Sequence, residues 1–169
     1  YVDSGATALD ALEGRLVVTS ESSPPMANLV LHWSLDYLDG TIIPDSSGRG
    51  NHGTLKGADP AAVVIEGKLG KAINLQSLNG YIDRPHNDSL NLQELSAACW
   101  FMSTDNGAWF HNIFGKYGYS SETPFWGLGW TGNRNVGFTV RDSAKTWLVA
   151  KPPSGWGLDG EWHHIAGIR

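Results

Sequence analysis

Polar and apolar residues alternate through LVLHWSLD, residues 29 to 36, with Leu29, Leu31, Trp33 and Leu35 on one side and Val30, His32, Ser34 and Asp36 on the other. A period of two predicts a half-buried strand. Further strands are predicted in KAINLQ, GYIDRP, SAACWFMS, NIFGKYG, FWGLGW, NVGFTVRD, KTWLVA and WHHIAGI, each bounded by Gly, Pro, Asn, Asp or Ser. Short strands at this spacing, with almost no helical period between them, predict an all-β antiparallel fold, a two-sheet sandwich or a barrel. One stretch differs. Ala6, Leu9, Leu12 and Leu16 fall at helical spacing and predict a short amphipathic helix, although Gly14 opposes it. TSESSPPMAN then has the composition of a linker. The expected division is therefore an N-terminal segment over 1–28 and a main β domain over 29–169.

Composition narrows the function. A chain of 169 residues can bury one sizeable core. Its net charge of −5 supplies no basic field for nucleic acid. Eight Trp and 21 Gly suit a β protein with tight turns and rings available for packing or ligand stacking. Cys99 is the single cysteine, so no internal disulfide forms, and its apolar strand predicts a buried thiol. No apolar run reaches the roughly 18 residues needed to span a bilayer, so direct membrane insertion is not expected. The chain begins at Tyr1 without a signal-peptide pattern, and it is expected to be part of a longer multidomain protein.

Catalytic motifs are missing where they would be sought. There is no G-x-S-x-G elbow and no E-x-D-x-x-E pair of carboxylates on one strand face. GLGWTG, residues 127 to 132, matches G-x-G-x-x-G in form, but a turn and a strand follow it instead of the helix that would hold a pyrophosphate. The expectation is a protein that is not an enzyme. His163 and His164 are neighbours on a strand, point to opposite faces and cannot close on one ion. Asn87-Asp88-Ser89 has the form of a glycosylation acceptor, a common triplet. DSSGRGNHGTL, residues 45 to 55, is not a phosphate loop, because Gly53, Thr54 and Leu55 stand where Gly-Lys-Ser/Thr is required. Asp45, Ser47 and Asn51 are equally the residues of an Asx-type turn or the oxygen donors of a calcium loop, with Asp36 and Asp39 close in sequence. Both readings stand.

Taken in order, LHWSLD, DSSGRGNHGTL, GKLGKAINLQSLNGYIDRP, SLNLQELSAACWF and EWHHIAGIR resemble the laminin-G-like, concanavalin A-like jelly-roll domains of large secreted bacterial proteins. The resemblance covers about residues 29 to 169 and implies an antiparallel two-sheet sandwich. Family domains continue past the W-H-H strand, so it also implies a jelly roll incomplete at its C-terminus. It further implies an extracellular or cell-surface location and a structural calcium held by Asp36, Asp45 and Asn51. The implied function is a non-catalytic carbohydrate-binding, lectin-like or adhesion module for a polysaccharide or glycan. The alternatives are a protein-interaction or spacer domain binding a surface protein, and an accessory lobe of a glycoside hydrolase or sialidase. Trp109, Tyr117, Trp126, Trp130 and Trp147 lie in or beside the long segments between the matched motifs and are the candidate ligand-binding rings, with Trp156 a further aromatic of this kind. Trp33, Trp100 and Trp162 lie in matched strands and are expected in the core.

Overall fold

Antiparallel ladders make up nearly all the regular structure of the computed structural model, which describes residues 7–10, 14–17, 28–75, 80–104, 112–116, 125–130, 136–141, 144 and 146–169. The chain divides into two compact units, Tyr1–His86 and Asn87–Arg169.

The first unit contains β1 (Thr7–Asp10), β2 (Gly14–Val17), β3 (Ile42–Ile43), β4 (Gly53–Lys56), the single helical turn α1 (Pro60–Val63), β5 (Val64–Glu66), β6 (Lys71–Ile73) and β7 (Tyr81–Asp83). β1 and β2 pair from Thr7↔Val17 to Asp10↔Gly14, which corrects the helix predicted over this stretch. Gly14 costs about 1 kcal/mol in a helix interior, and the β-branched Thr7 and Val17 favour extended backbone. β3, β4 and β7 form one sheet with β4 central, while β5 and β6 form a separate hairpin. Ile43, Leu55 and Val63 are buried at its centre, with Trp33, Leu35, Leu38, Ile73 and Ile82 packed around them.

Residues 29–36 join no ladder, a correction to the strand predicted there. Their backbone groups are taken by the loop that follows β3. The His32 N–H donates to Asp45 Oδ1 at 2.9 Å, and the His32 carbonyl accepts from the Ser46 N–H at 2.9 Å. The alternation then ends at Leu35, whose φ of +66° lies in the left-handed region, at a cost of about 1–2 kcal/mol for a residue with a Cβ. That backbone reversal accompanies two favourable contacts. Leu35 packs on the core, and Asp36 Oδ1 accepts the Lys71 N–H at 2.8 Å.

The second unit holds β8 (Ser96–Met102), β9 (Asn112–Lys116), β10 (Phe125–Trp130), β11 (Val136–Arg141), β12 (Trp147–Ala150) and β13 (Trp162–Ile168), all within predicted strands. One sheet runs β12-β11-β10-β9 and the other pairs β13 with β8. Their inner faces share a core of Leu95, Ala97, Phe101, Leu128, Val136, Phe138, Val140 and Ile165. Leu128 and Val136 are fully buried, worth about 1.5–3 kcal/mol each. The sheets meet closely at Gly167, where a Cβ would lie 2.2 Å from Phe138 Cγ.

Parity along β8 settles the tryptophan there. Ala97 and Phe101 turn inward, so Trp100 faces out, 40% exposed, with its ring edge-on to His164 at 5.2 Å. The expected core placement of Trp100 is thereby corrected. His163 and His164 diverge as the alternation requires. His163 packs beside the rings of Trp156 and Phe101 and meets Asp159 Oδ1 through Nε2 at 2.8 Å. Cys99 packs beside the core, and burial pushes its thiol pKa up to about 11.

Candidate functional site

Two clusters concentrate polar chemistry, one in each unit. The first is the loop 45–51. Asp45 Oδ1 accepts the backbone N–H groups of His32 at 2.9 Å and Ser47 at 3.0 Å. Asp45 Oδ2 accepts the Ser47 hydroxyl at 2.7 Å and the Asn51 N–H at 2.8 Å. Four donors therefore meet the four in-plane lone pairs of one carboxylate. The Asp45 N–H in turn donates to His52 Nδ1 at 2.9 Å, which leaves the proton of the neutral ring on Nε2. Asn51 is buried as completely as Ser47: its Nδ2 donates to the Val30 carbonyl at 2.8 Å and its carbonyl accepts from Trp33 Nε1 at 2.9 Å. Burial by itself raises the Asp45 pKa, but the hydrogen bonds from His32, Ser47 and Asn51 outweigh it and hold the carboxyl below its ordinary value.

This arrangement does not fit a calcium ion. Calcium wants six to eight free oxygens, and the Asp45 carboxylate already faces four donors. Asn51 Oδ1 accepts Arg84 Nη2 at 3.3 Å, so a guanidinium occupies the place a cation would need. Asp36 is committed elsewhere, its Oδ1 taken by Lys71 N–H and only 1.9 Å from where a Cβ on Gly70 would stand. Among the described residues, no group of three or more His, Cys, Asp or Glu side chains converges. Asp45 and Asn51 are brought together; Asp36 serves the separate turn before β6.

The second cluster spans three neighbouring strands. Phe125 on β10 is paired with Arg141 on β11, and Arg141 is paired with Trp147 on β12. Residues directly opposite in antiparallel strands share a face, so the three form one rung. On β11 the buried Val136, Phe138 and Val140 alternate with Gly137, Thr139 and Arg141, which puts this rung on the face opposite the shared core. The Phe125 and Trp147 rings lie 5.4 Å apart, and the Arg141 guanidinium carbon is 5.4 Å from the Trp147 centroid. Exposure rises steeply along the rung, from 8% at Phe125 to 54% at Trp147. Arg141 Nε is buried with no hydrogen-bond partner.

Of the other predicted ligand-binding rings, Trp126 lies on the inner side of β10 against Phe114 at 5.6 Å, part of the core's surround. That is a correction with a simple cause: Trp126 shares its parity with the fully buried Leu128. Trp130 pairs through its backbone with Val136, and its side chain lies outside the described residues, as do Trp109 and Tyr117. Trp156 is half-buried against Phe101 at 5.9 Å. Only Trp147, among the predicted rings whose side chains are described, stands largely in solvent. Arg141 and Phe125 were not singled out in the sequence, although Arg141 and Trp147 flank a short connection and so invited cross-strand pairing.

A family model described as the concanavalin A-like lectin/glucanases superfamily matches residues 75–169. Comparison with curated proteins and with solved structures gave no match. No helix among the described residues is long and apolar enough to cross a membrane.

Proposed function

The chain belongs to the concanavalin A-like lectin/glucanase superfamily, and on that premise we propose that it is a non-catalytic carbohydrate-binding module of a larger extracellular or surface protein. The observation that carries this reading is Trp147, a ring 54% exposed yet braced by Phe125 and by the Arg141 guanidinium. A braced aromatic loses little freedom when a sugar ring stacks on it. Apolar C–H faces of a pyranose suit such a platform, while adjacent polar groups select hydroxyls and charges. The loop 45–51 serves as a metal-free staple in this reading and takes no part in binding.

Calorimetric or array titration of the protein against a panel of oligosaccharides tests the proposal. Saturable binding is expected, weakened up to about tenfold by Trp147→Ala if aromatic pairs are a guide to stacking on the ring. Binding unchanged in Trp147→Ala, or no binding to any saccharide, would overturn it. A protein-interaction module is the second reading, favoured by Leu148 and Val149, 61% and 48% exposed beside Trp147 on the edge strand. Loss of a protein partner on Leu148→Ser, with no glycan bound, would select it.

A further inference from the structure

We propose that the rung Phe125–Arg141–Trp147 selects saccharides that carry a carboxylate, with Arg141 as the anion-recognising group beside the Trp147 platform. The inference deepens the carbohydrate-binding reading and rests on it.

A guanidinium that serves only the fold donates its N–H groups to the fold's own carbonyls and carboxylates. Arg84 directs both terminal nitrogens that way, with Nη1 on the Pro85 carbonyl at 2.9 Å and Nη2 on Asn51, although its Nε, like that of Arg141, is buried without an acceptor. Arg141 does not. Among the described residues its terminal nitrogens have no ion pair and no hydrogen bond of the kind Arg84 makes, and the guanidinium lies against the Trp147 ring. Phe125 and Trp147 are its register partners on either side, and the Trp147 ring contacts the charge without neutralising it. The side chain as a whole is only half-buried although Nε is fully so, which leaves its exposure to the rest of the side chain. The terminal nitrogens of a guanidinium match the two oxygens of a carboxylate in a planar fork.

The geometry therefore offers a pyranose two things at once: an exposed indole for its apolar face and a cation within about one sugar width for an acidic substituent. Uronates and sialates share that chemistry. The protein's net charge of −5 gives no long-range attraction to a polyanion, so discrimination rests on the short-range fork.

The test compares four ligands on the intact chain: an oligogalacturonate, its methyl ester, sialyllactose and lactose. The ester removes the charge and keeps the sugar; lactose removes the sialate. A charge-assisted pair predicts at least about tenfold tighter binding of one acidic ligand than of its neutral counterpart. The preference should fall to about onefold in Arg141→Gln, be partly kept in Arg141→Lys, and weaken as salt is raised. Which of the two acidic ligands shows it identifies the source of the carboxylate. Neutral and acidic ligands bound equally by the unaltered protein would sink the charge selection while leaving the carbohydrate reading intact; no binding of any saccharide would remove both. Should Arg141→Gln lower the melting temperature, Trp147→Phe, which keeps a ring but reduces the platform, supplies the second variant. Acidic preference surviving in Arg141→Gln overturns the assignment.

Discussion

The loop 45–51 and the Phe125–Arg141–Trp147 rung are opposites in how they use polar groups. In the loop every lone pair of Asp45 has a donor, and the buried Asn51 holds the Val30 carbonyl, Trp33 and Arg84. In the rung the Arg141 guanidinium has no ion pair among the described residues and lies against a ring that is mostly in water. Satisfied polar clusters hold chains in place, whereas unsatisfied ones are where a ligand can add hydrogen bonds. The motif-rich loop thus belongs to the fold, and the motif-poor rung is the better place to look for function.

Breaking the loop should give the largest effect. Asp45→Ala strips four donors of their acceptor in a buried setting and is expected to cost about 3–4 kcal/mol in denaturant unfolding. A loss under about 1 kcal/mol would mean the loop is less closed than its distances indicate. Next in size is Gly167→Ala, where the added methyl collides with Phe138 and should cost about 1–3 kcal/mol by overpacking. On the rung, Trp147→Ala should leave stability within about 0.5 kcal/mol while reducing saccharide binding, because the ring lies outside the core. Stability should thus follow the loop, and affinity the rung.

Acid offers a finer probe of the loop. The Asp45 pKa is lower in the folded protein than in the unfolded chain, so the carboxylate contributes stability that is fully present above its ordinary value of 3.8. That contribution disappears as pH falls through the depressed folded pKa. Asp45→Asn should flatten this part of the acid limb in pH-dependent unfolding, and an unchanged limb would assign the effect to other carboxylates. The smallest effect expected is that of calcium. With no coordination set at Asp45 and Asn51, added calcium or a chelator should move the melting temperature by less than about 1 °C, since only an ion bound to the folded state stabilises it. A clear upward shift with calcium would show oxygens free to bind it.

Strand positions from residue 71 onward could be read from the sequence because alternation and turn residues are local properties. What escaped depends on partners far along the chain. Residues 29–36 have a strand's alternation, yet their neighbours are the side chains and backbone of loop 45–51, a pairing no period reveals. Trp100 and Trp126 were misassigned for a related reason: alternation says that neighbours part company, not which of two faces is covered. Once Phe101 and Leu128 are known to point inward, both tryptophans follow. Asp45 and Asn51 were recognised as a pair, but the type of donor around an oxygen, N–H or metal, is a matter of geometry. Arg141 drew no notice because a single arginine has no motif; its meaning comes from register.

Cys99, paired opposite Ile165 where β8 meets β13, gives the second unit a built-in clock. With a pKa near 11, only about one thiol in a thousand is ionised at pH 8, and it is the thiolate that attacks alkylating reagents. Separation of those two strands would return the sulfur to ordinary acidity and speed its modification. The rate of maleimide labelling therefore times how often this sheet opens, with no residue introduced for the purpose.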